Sequence, residues 1–307
     1  MTVAADPAPG SAPASETRRD EVNDTWPPHA GGRPVVLVSW DGASVPLALI
    51  HFDATPEFDW ILFDYTGRQA GGERQIRGQH VTVLSARTEC KGEIFHHLAE
   101  HLAAPMAGSA SEPPEYVALI DDDILVSIGQ INFALHLGRC EQLDVFSPTL
   151  SHDSPYSHHW MRHQPNRLYR EVDWVEVMTP FYRGSLFLAA REYYRDNISS
   201  WGLDRFLIPV LQQLNGCART ALLDAVMVSH RRPVTSGAKV YRNGRTAWQE
   251  RQLLRQASLD LVDREAPALR DSAIFHRLFV ARETPNKWIR WKRRIARVLK
   301  RLLDEGS

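Results

Sequence analysis

Tyr116-Val117-Ala118-Leu119-Ile120, followed at once by Asp121-Asp122-Asp123, decides how the rest of the chain is read. Five apolar residues without alternation make a strand covered on both faces, the pattern of a parallel sheet enclosed by helices. The abrupt end in three carboxylates puts charge at the strand's carboxyl end, where open α/β sheets gather their ligands. Residues i and i+2 of an extended chain project to one side, so Asp121 and Asp123 share a face and Asp122 points elsewhere. Three adjacent negative charges repel one another unless a cation or a basic neighbour compensates them. Hard carboxylate oxygens at this spacing suit Mg²⁺ or Mn²⁺, leaving positions that phosphate oxygens fill. The competing reading is a solvated loop or a helix cap.

Upstream, the stretches 34–40 (PVVLVSW), 58–65 (FDWILFDY) and 80–85 (HVTVLS) read as strands, the first two closed by Asp41-Gly42 and Thr66-Gly67. Between 91 and 102, Ile94, Phe95, Leu98 and Leu102 recur at helical spacing. Downstream, 174–178 (WVEVM) and 221–229 (ALLDAVMVS) read as two more strands. Alternation puts Glu176 on the opposite face from its neighbours, Asp204 precedes the helical pattern Phe206, Leu207, Val210, Leu211 and Leu214, and His230 closes a strand. Each has a plainer reading: an exposed strand position, an N-cap and a hydrogen-bonded loop histidine. Repeated β and α segments predict a layered α/β fold.

Composition narrows the function classes. The 307 residues carry 36 basic and 37 acidic side chains, so no whole-chain field favours nucleic acid. Cys90, Cys140 and Cys217 form no Cys-x-x-Cys pair, which argues against a disulfide scaffold or thiolate zinc site and fits a reducing cytoplasm. No run approaches the roughly 18 apolar residues of a membrane span. Residues 1–33, rich in Ala, Pro, Ser and Glu, read as disordered and without a secretory signal. The expected organisation is that segment, a catalytic domain over 34–250 and a helical extension over 251–307. Within the extension, Trp288, Trp291, Ile295, Val298 and Leu302 form one apolar stripe among Lys and Arg. That basic helix over 285–303 suits peripheral contact with an anionic membrane at its inner face, or packing on the domain.

Two histidine groups need weighing. His97 and His101 have the i, i+4 spacing of zinc ligands, but the glutamate that a zinc protease needs after the first histidine is missing, which favours surface histidines. The polar stretch holding His152, Asp153, His158, His159 and His163 suits a loop over an acceptor site, with Tyr156, Trp160 and Tyr169 able to stack on sugar rings.

Taken in order, Phe63-Asp64-Tyr65-Thr66-Gly67, Thr88-Glu89-Cys90-Lys91, Ile120-Asp121-Asp122-Asp123-Ile124, Trp174 to Pro180, Ser200-Trp201-Gly202-Leu203-Asp204 and Leu223-Asp224 through His230 and Pro233 resemble the domain-of-unknown-function 707 family. That family is similar to glycosyltransferases of the GT-A fold. The family usually has Glu in the middle of the triplet, where Asp122 stands here, and Ile124-Leu125 replaces its small residue after the triplet. The resemblance implies a three-layer α/β/α sandwich with a mixed, mostly parallel sheet and a helical C-terminal extension. It further implies a nucleotide-sugar donor, a glycan or other hydroxyl acceptor, and a cation, Mn²⁺ or Mg²⁺, held by Asp121, Asp123 and His230. Asp204 falls where such enzymes keep the base, with Glu176 as a second catalytic carboxylate; a single base implies inversion. Asp41, Lys91, Asp122, Trp201 and Gly202 fall on the donor side. The alternatives are a catalytically silent nucleotide- or carbohydrate-binding relative and a metal-dependent phosphoester hydrolase.

Overall fold

A computed structural model describes residues 32–104, 112–217, 219–234 and 237–280. In chain order the first half comprises β1 (Val35–Trp40), β2 (Ile50–His51), β3 (Asp59–Asp64), β4 (Gly72–Ile76), β5 (Gln79–Ser85), α1 (Lys91–Ala103), β6 (Tyr116–Ile120), β7 (Ile124–Ser127) and α2 (Ile128–Cys140). There follow β8 (Val145–Leu150), β9 (Arg170–Glu171), β10 (Phe181–Arg183), α3 (Gly184–Ala189), α4 (Arg191–Tyr194), α5 (Ile208–Leu214), β11 (Thr220–His230) and α6 (Ala247–Glu265).

The sheet runs β2-β7-β11-β8-β10-β6-β1-β3-β5-β4, with β9 attached to β11. Strands β5, β3, β1 and β6 are mutually parallel, and β8 and β11 continue that direction beyond β10, which runs antiparallel between β6 and β8. The mixed, mostly parallel sheet expected from the sequence is the sheet found. Continuous apolar runs explain it: β1 and β6 are buried along their whole lengths, as strands covered on both faces must be. Helix α2 packs on β7, β8 and β11, while α1, α3, α4 and α5 pack in a second group that reaches β6 and β10 through α3. Ser127 and Gln130 form a capping box that starts α2, and Thr246 and Gln249 do the same for α6.

This connectivity places a candidate edge for ligands. From β1 the chain winds outward through β3 to β5, then returns to lay β6 on the other side of β1. Neighbouring parallel strands whose connections leave in opposite directions open a crevice between their carboxyl ends, here between Asp41 after β1 and Asp121 after β6.

One expected strand is absent. Residues 174–178 are irregular, although Leu119 and Asp121 donate their N–H groups to the carbonyls of Pro180 and Met178, at 3.1 and 3.4 Å. Proline has no N–H to return, so a reciprocal ladder fails at Pro180. Glu176 is consequently buried, not set on the far face of a strand. The helical pattern at 206–214 is also modified: Leu203–Leu207 forms a wide π turn before α5 begins. The line expected between 250 and 251 passes through α6, whose Leu254, Leu261 and Val262 join the main core. The expected disorder over 1–31 and the basic helix over 285–303 lie outside the described residues. Among the described residues no helix is long and apolar enough to cross a membrane.

Candidate functional site

The acidic triplet leaves β6 at its carboxyl end, and each aspartate meets a basic side chain from a different part of the chain. Lys91, the first residue of α1, places its ammonium 2.7 Å from Asp121 Oδ1. Arg232, just past β11, brings Nη2 to 2.8 Å from Asp122 Oδ2 and Nε to 3.8 Å from Asp123 Oδ2. His230, the last residue of β11, sets Nε2 3.3 Å from Asp123 Oδ2. The compensation that three adjacent carboxylates require is thus supplied from within the chain.

Further contacts fix the group. The Ser39 hydroxyl of β1 accepts the Asp122 N–H at 2.9 Å, and the Tyr65 phenol donates to Asp122 Oδ2 at 3.0 Å. Burial, reinforced by the charge on Asp122, pushes the Tyr65 phenol up to about 12, so it remains a donor at neutral pH. His230 is held at its other nitrogen by the Pro155 carbonyl at 3.0 Å, while its backbone N–H donates to Ser154 Oγ at 2.9 Å. Although burial disfavours the imidazolium, the hydrogen bond to Asp123 and the Pro155 carbonyl raise the histidine above its ordinary value. Conversely, Asp123 is lowered: burial alone would raise it, and His230 and Arg232 outweigh burial.

Asp123 Oδ1 is buried without a hydrogen-bond partner. An orphaned carboxylate oxygen is costly, and a hard cation is the kind of group that satisfies it. Among the described residues, however, no three His, Cys, Asp or Glu side chains converge as a ready-made cation cage. These side chains therefore fit an open site, in which a ligand's own oxygens complete the coordination, better than a closed protein cage.

Beside this group lies a second pair of carboxylates. Glu176 is buried, with Oε2 unpartnered, and its burial pushes the carboxyl up to about 7 against the hydrogen bond from Ser157. Asp204 adds to that upward push by its charge, and His230 and Lys91 oppose it, which places all three within electrostatic reach. Asp204 sits half-buried on the π turn, with Oδ1 accepting the Arg205 N–H at 2.8 Å. It is not the N-cap; Gly202 is, at φ +93°, and Ser200 at φ +66° precedes it in the left-handed region where a side chain is strained. Glu250 of α6 holds that strained turn by accepting the backbone N–H groups of Ile198 and Ser199. Strained backbone and π turns cluster at functional sites.

The remaining sequence-predicted residues are placed less directly. Lys91 also donates to the carbonyls of Val177 and Met178, so its ammonium braces the irregular segment carrying Glu176. Asp41 turns back on its own chain and accepts from Ala43 and Ser44; the Ser44 N–H leads in lowering its carboxyl. Trp201 packs edge-on against Trp248 at 4.9 Å, beside Cys90 and Ile198, and Gly202 lies over Arg251. His97 and His101 are exposed on α1. In the histidine-rich loop, His158, Trp160 and Trp174 form one aromatic cluster next to Ser157.

Sequence reasoning assigned no role to Asp64, Tyr65 or Arg232. Asp64 is fully buried yet accepts from Thr66 N, Thr66 Oγ1, Gln69 N and Ser85 Oγ at 2.7–2.9 Å. Burial works to raise its carboxyl, and these donors together bring it down to about 2. Gln69 Nε2 in turn donates to the Gly42 carbonyl at 2.8 Å, tying the end of β3 to the turn after β1. The signal was present: Asp-x-Thr-Gly after an apolar strand is the composition of an Asx turn. Tyr65, Thr66, Arg68, Arg87 and Thr88 line a cavity of about 470 Å³ beyond β3 and β5, next to the triplet through Tyr65.

No protein-family model and no curated protein matches the sequence. Among solved structures, the chain is similar to residues 1–349 of TarS from S. aureus, crystallised in complex with UDP-GlcNAc, with a TM-score of 0.52 and 13% identity over 80% of this chain and 69% of that one. It also matches A197 from STIV, at a TM-score of 0.32 and 12% identity over 67% of this chain and 98% of the other. At 13% identity, the likeness to TarS is a likeness of fold.

Proposed function

We propose that this chain is a glycosyltransferase that moves a sugar from a nucleotide-sugar donor to an acceptor hydroxyl, with a divalent cation on the donor diphosphate. The observation that carries the proposal is the acidic triplet at the β1/β6 crevice, where Asp123 keeps a buried oxygen unpartnered beside His230. The resemblance to the domain-of-unknown-function 707 family and the fold shared with a UDP-GlcNAc-bound structure support a nucleotide-sugar donor. On this reading Asp121, Asp123 and His230 hold Mn²⁺ or Mg²⁺, which supplies charge neutralisation for the departing nucleoside diphosphate. Lys91 and Asp122 with its partners lie on the donor side, with Asp41, Trp201 and Gly202 assigned there by position.

Asp204 removes the acceptor proton, and Glu176, carrying its own proton near neutrality, is the neighbouring hydrogen-bond donor. A single base implies inversion at the anomeric carbon, which a product of retained configuration in an NMR time course would exclude. Cytoplasmic placement follows from the free cysteines, as does membrane contact from the basic tail, and both belong to this reading.

The cation role has a direct test. Calorimetry with UDP should show binding that strengthens with Mn²⁺ in the wild type and loses that dependence in Asp123→Ala. Equal metal dependence in both proteins would remove Asp123 from the site.

A further inference from the structure

Counting charge at the triplet leads beyond the assignment of ligands. Three carboxylates face two basic side chains, Lys91 and Arg232, and the His230 imidazole. Most of the negative charge is therefore compensated before any ligand arrives. Bringing in a divalent cation alone leaves an excess of positive charge in a partly buried space, and a diphosphate alone meets three carboxylates. Together they restore the balance.

The three basic groups are not equally free to respond. Lys91 is largely buried and anchored on two backbone carbonyls, and His230 is clamped between Asp123 and the Pro155 carbonyl. Arg232 is different. Its side chain is 55% exposed, and among the described residues it forms ion pairs with Asp122 and Asp123. Of the three basic groups, its guanidinium is the one that can leave without breaking a contact to a backbone carbonyl, and a guanidinium pairs as readily with phosphate as with carboxylate.

We infer that Arg232, seated on Asp122, takes the cation's place beside Asp123 and transfers to the diphosphate when the cation enters, so that metal and diphosphate bind as a coupled pair. The inference rests on the cation reading above and adds to it a specific residue and a sign. Arg232 competes with the metal and assists the phosphate, so removing it must strengthen the first and weaken the second. By linkage, whatever factor the metal adds to diphosphate affinity, the diphosphate adds to metal affinity.

The test measures Mn²⁺ binding by electron paramagnetic resonance of free Mn²⁺, and UDP and inorganic pyrophosphate binding by calorimetry, in the full chain, Arg232→Gln, Arg232→Lys and Arg231→Gln. Arg231 is exposed and adjacent, so it controls for a general change of surface charge. Arg232→Gln should bind Mn²⁺ alone about 5-fold to 10-fold more tightly, a gain on the order of 1 kcal/mol, and bind UDP without metal more weakly by a similar factor. Arg232→Lys should fall between, and Arg231→Gln should resemble the wild type. Unchanged or weaker Mn²⁺ binding in Arg232→Gln, with wild-type Mn²⁺ and UDP coupling intact, overturns the exchange but leaves the cation site standing. No Mn²⁺ binding in the wild type, with or without UDP, overturns both.

Discussion

Replacing Asp64 by Asn tests whether the buried turn after β3 is a charged structure. Asp64 is fully inaccessible and accepts four hydrogen bonds that bring its carboxyl from 3.8 to about 2. A folded value below the unfolded one stabilises the protein at every pH above the unfolded value, and the gain fades as pH falls toward the folded value. The difference of roughly 1.8 pKa units at about 1.36 kcal/mol each corresponds to about 2.4 kcal/mol. Asn retains one acceptor for Thr66, but its amide –NH₂ then faces the Gln69 N–H, and flipping the amide only moves the conflict to Thr66. An unsatisfied buried donor costs about 1–3 kcal/mol, so the expected loss at neutral pH is about 3–5 kcal/mol. Urea unfolding followed by tryptophan fluorescence measures it, repeated in steps from about pH 6 downward. The gap between wild type and Asp64→Asn should narrow as pH falls through the range between 3.8 and about 2. A loss below about 1 kcal/mol, or one independent of pH, would refute the charged-turn argument.

Glu176 titrates in the opposite sense. Its carboxyl rises from 4.5 to about 7, so the stability of the protonated form is fully present below 4.5 and lost as pH rises through about 7, by about 3 kcal/mol. Glu176→Gln should therefore match the wild type near pH 4 and exceed it at about pH 8.5 by that order in thermal or urea unfolding; no gain at high pH means the carboxyl is not buried as described. Turnover separates the two carboxylates: Asp204→Asn should lose at least about 100-fold in kcat, measured as nucleoside diphosphate release with acceptor, while Glu176→Gln loses less. The reverse ranking would exchange their roles. Gly42→Ala places a side chain at φ +68°, with its Cβ 2.6 Å from Asp64 Oδ1. It should cost about 2–4 kcal/mol, and less than additively when combined with Asp64→Asn because both act on one turn.

The strands of the parallel sheet were legible because their apolar runs carry no other reading: 34–40, 58–65 and 80–85 lie within a residue or two of β1, β3 and β5. Legibility failed at 174–178, where WVEVM imitates a half-exposed strand. What overrode the pattern is Pro180's missing N–H just downstream and, remote in sequence, the Lys91 ammonium taking the carbonyls of Val177 and Met178. The same remoteness hid the site's charge balance. Three aspartates at a strand end can be read locally, whereas the pairing of each with Lys91, Arg232 and His230 depends on how α1 and β11 are laid beside β6. Asp204 was legible in position but not in conformation, since a left-handed Ser200 has no sequence signature of its own.

A sheet edge that collects carboxylates has to give them different protonation states before they can do different work. Here the fold does this by depth and by donors. Asp64 is buried but surrounded by four donors, so it stays charged and serves only to hold the turn. Glu176 is also buried, with one oxygen unpartnered, and holds its proton to about 7. Asp204 remains half-buried on a turn whose strain is borne by Glu250 and the backbone around it. The proposed base needs solvent contact to reach a substrate hydroxyl, and a neutral acid beside it adds no like charge. The division of labour proposed for Asp204 and Glu176 thus rests on where the Pro180 break and the π turn put them, with neither residue's type deciding it alone.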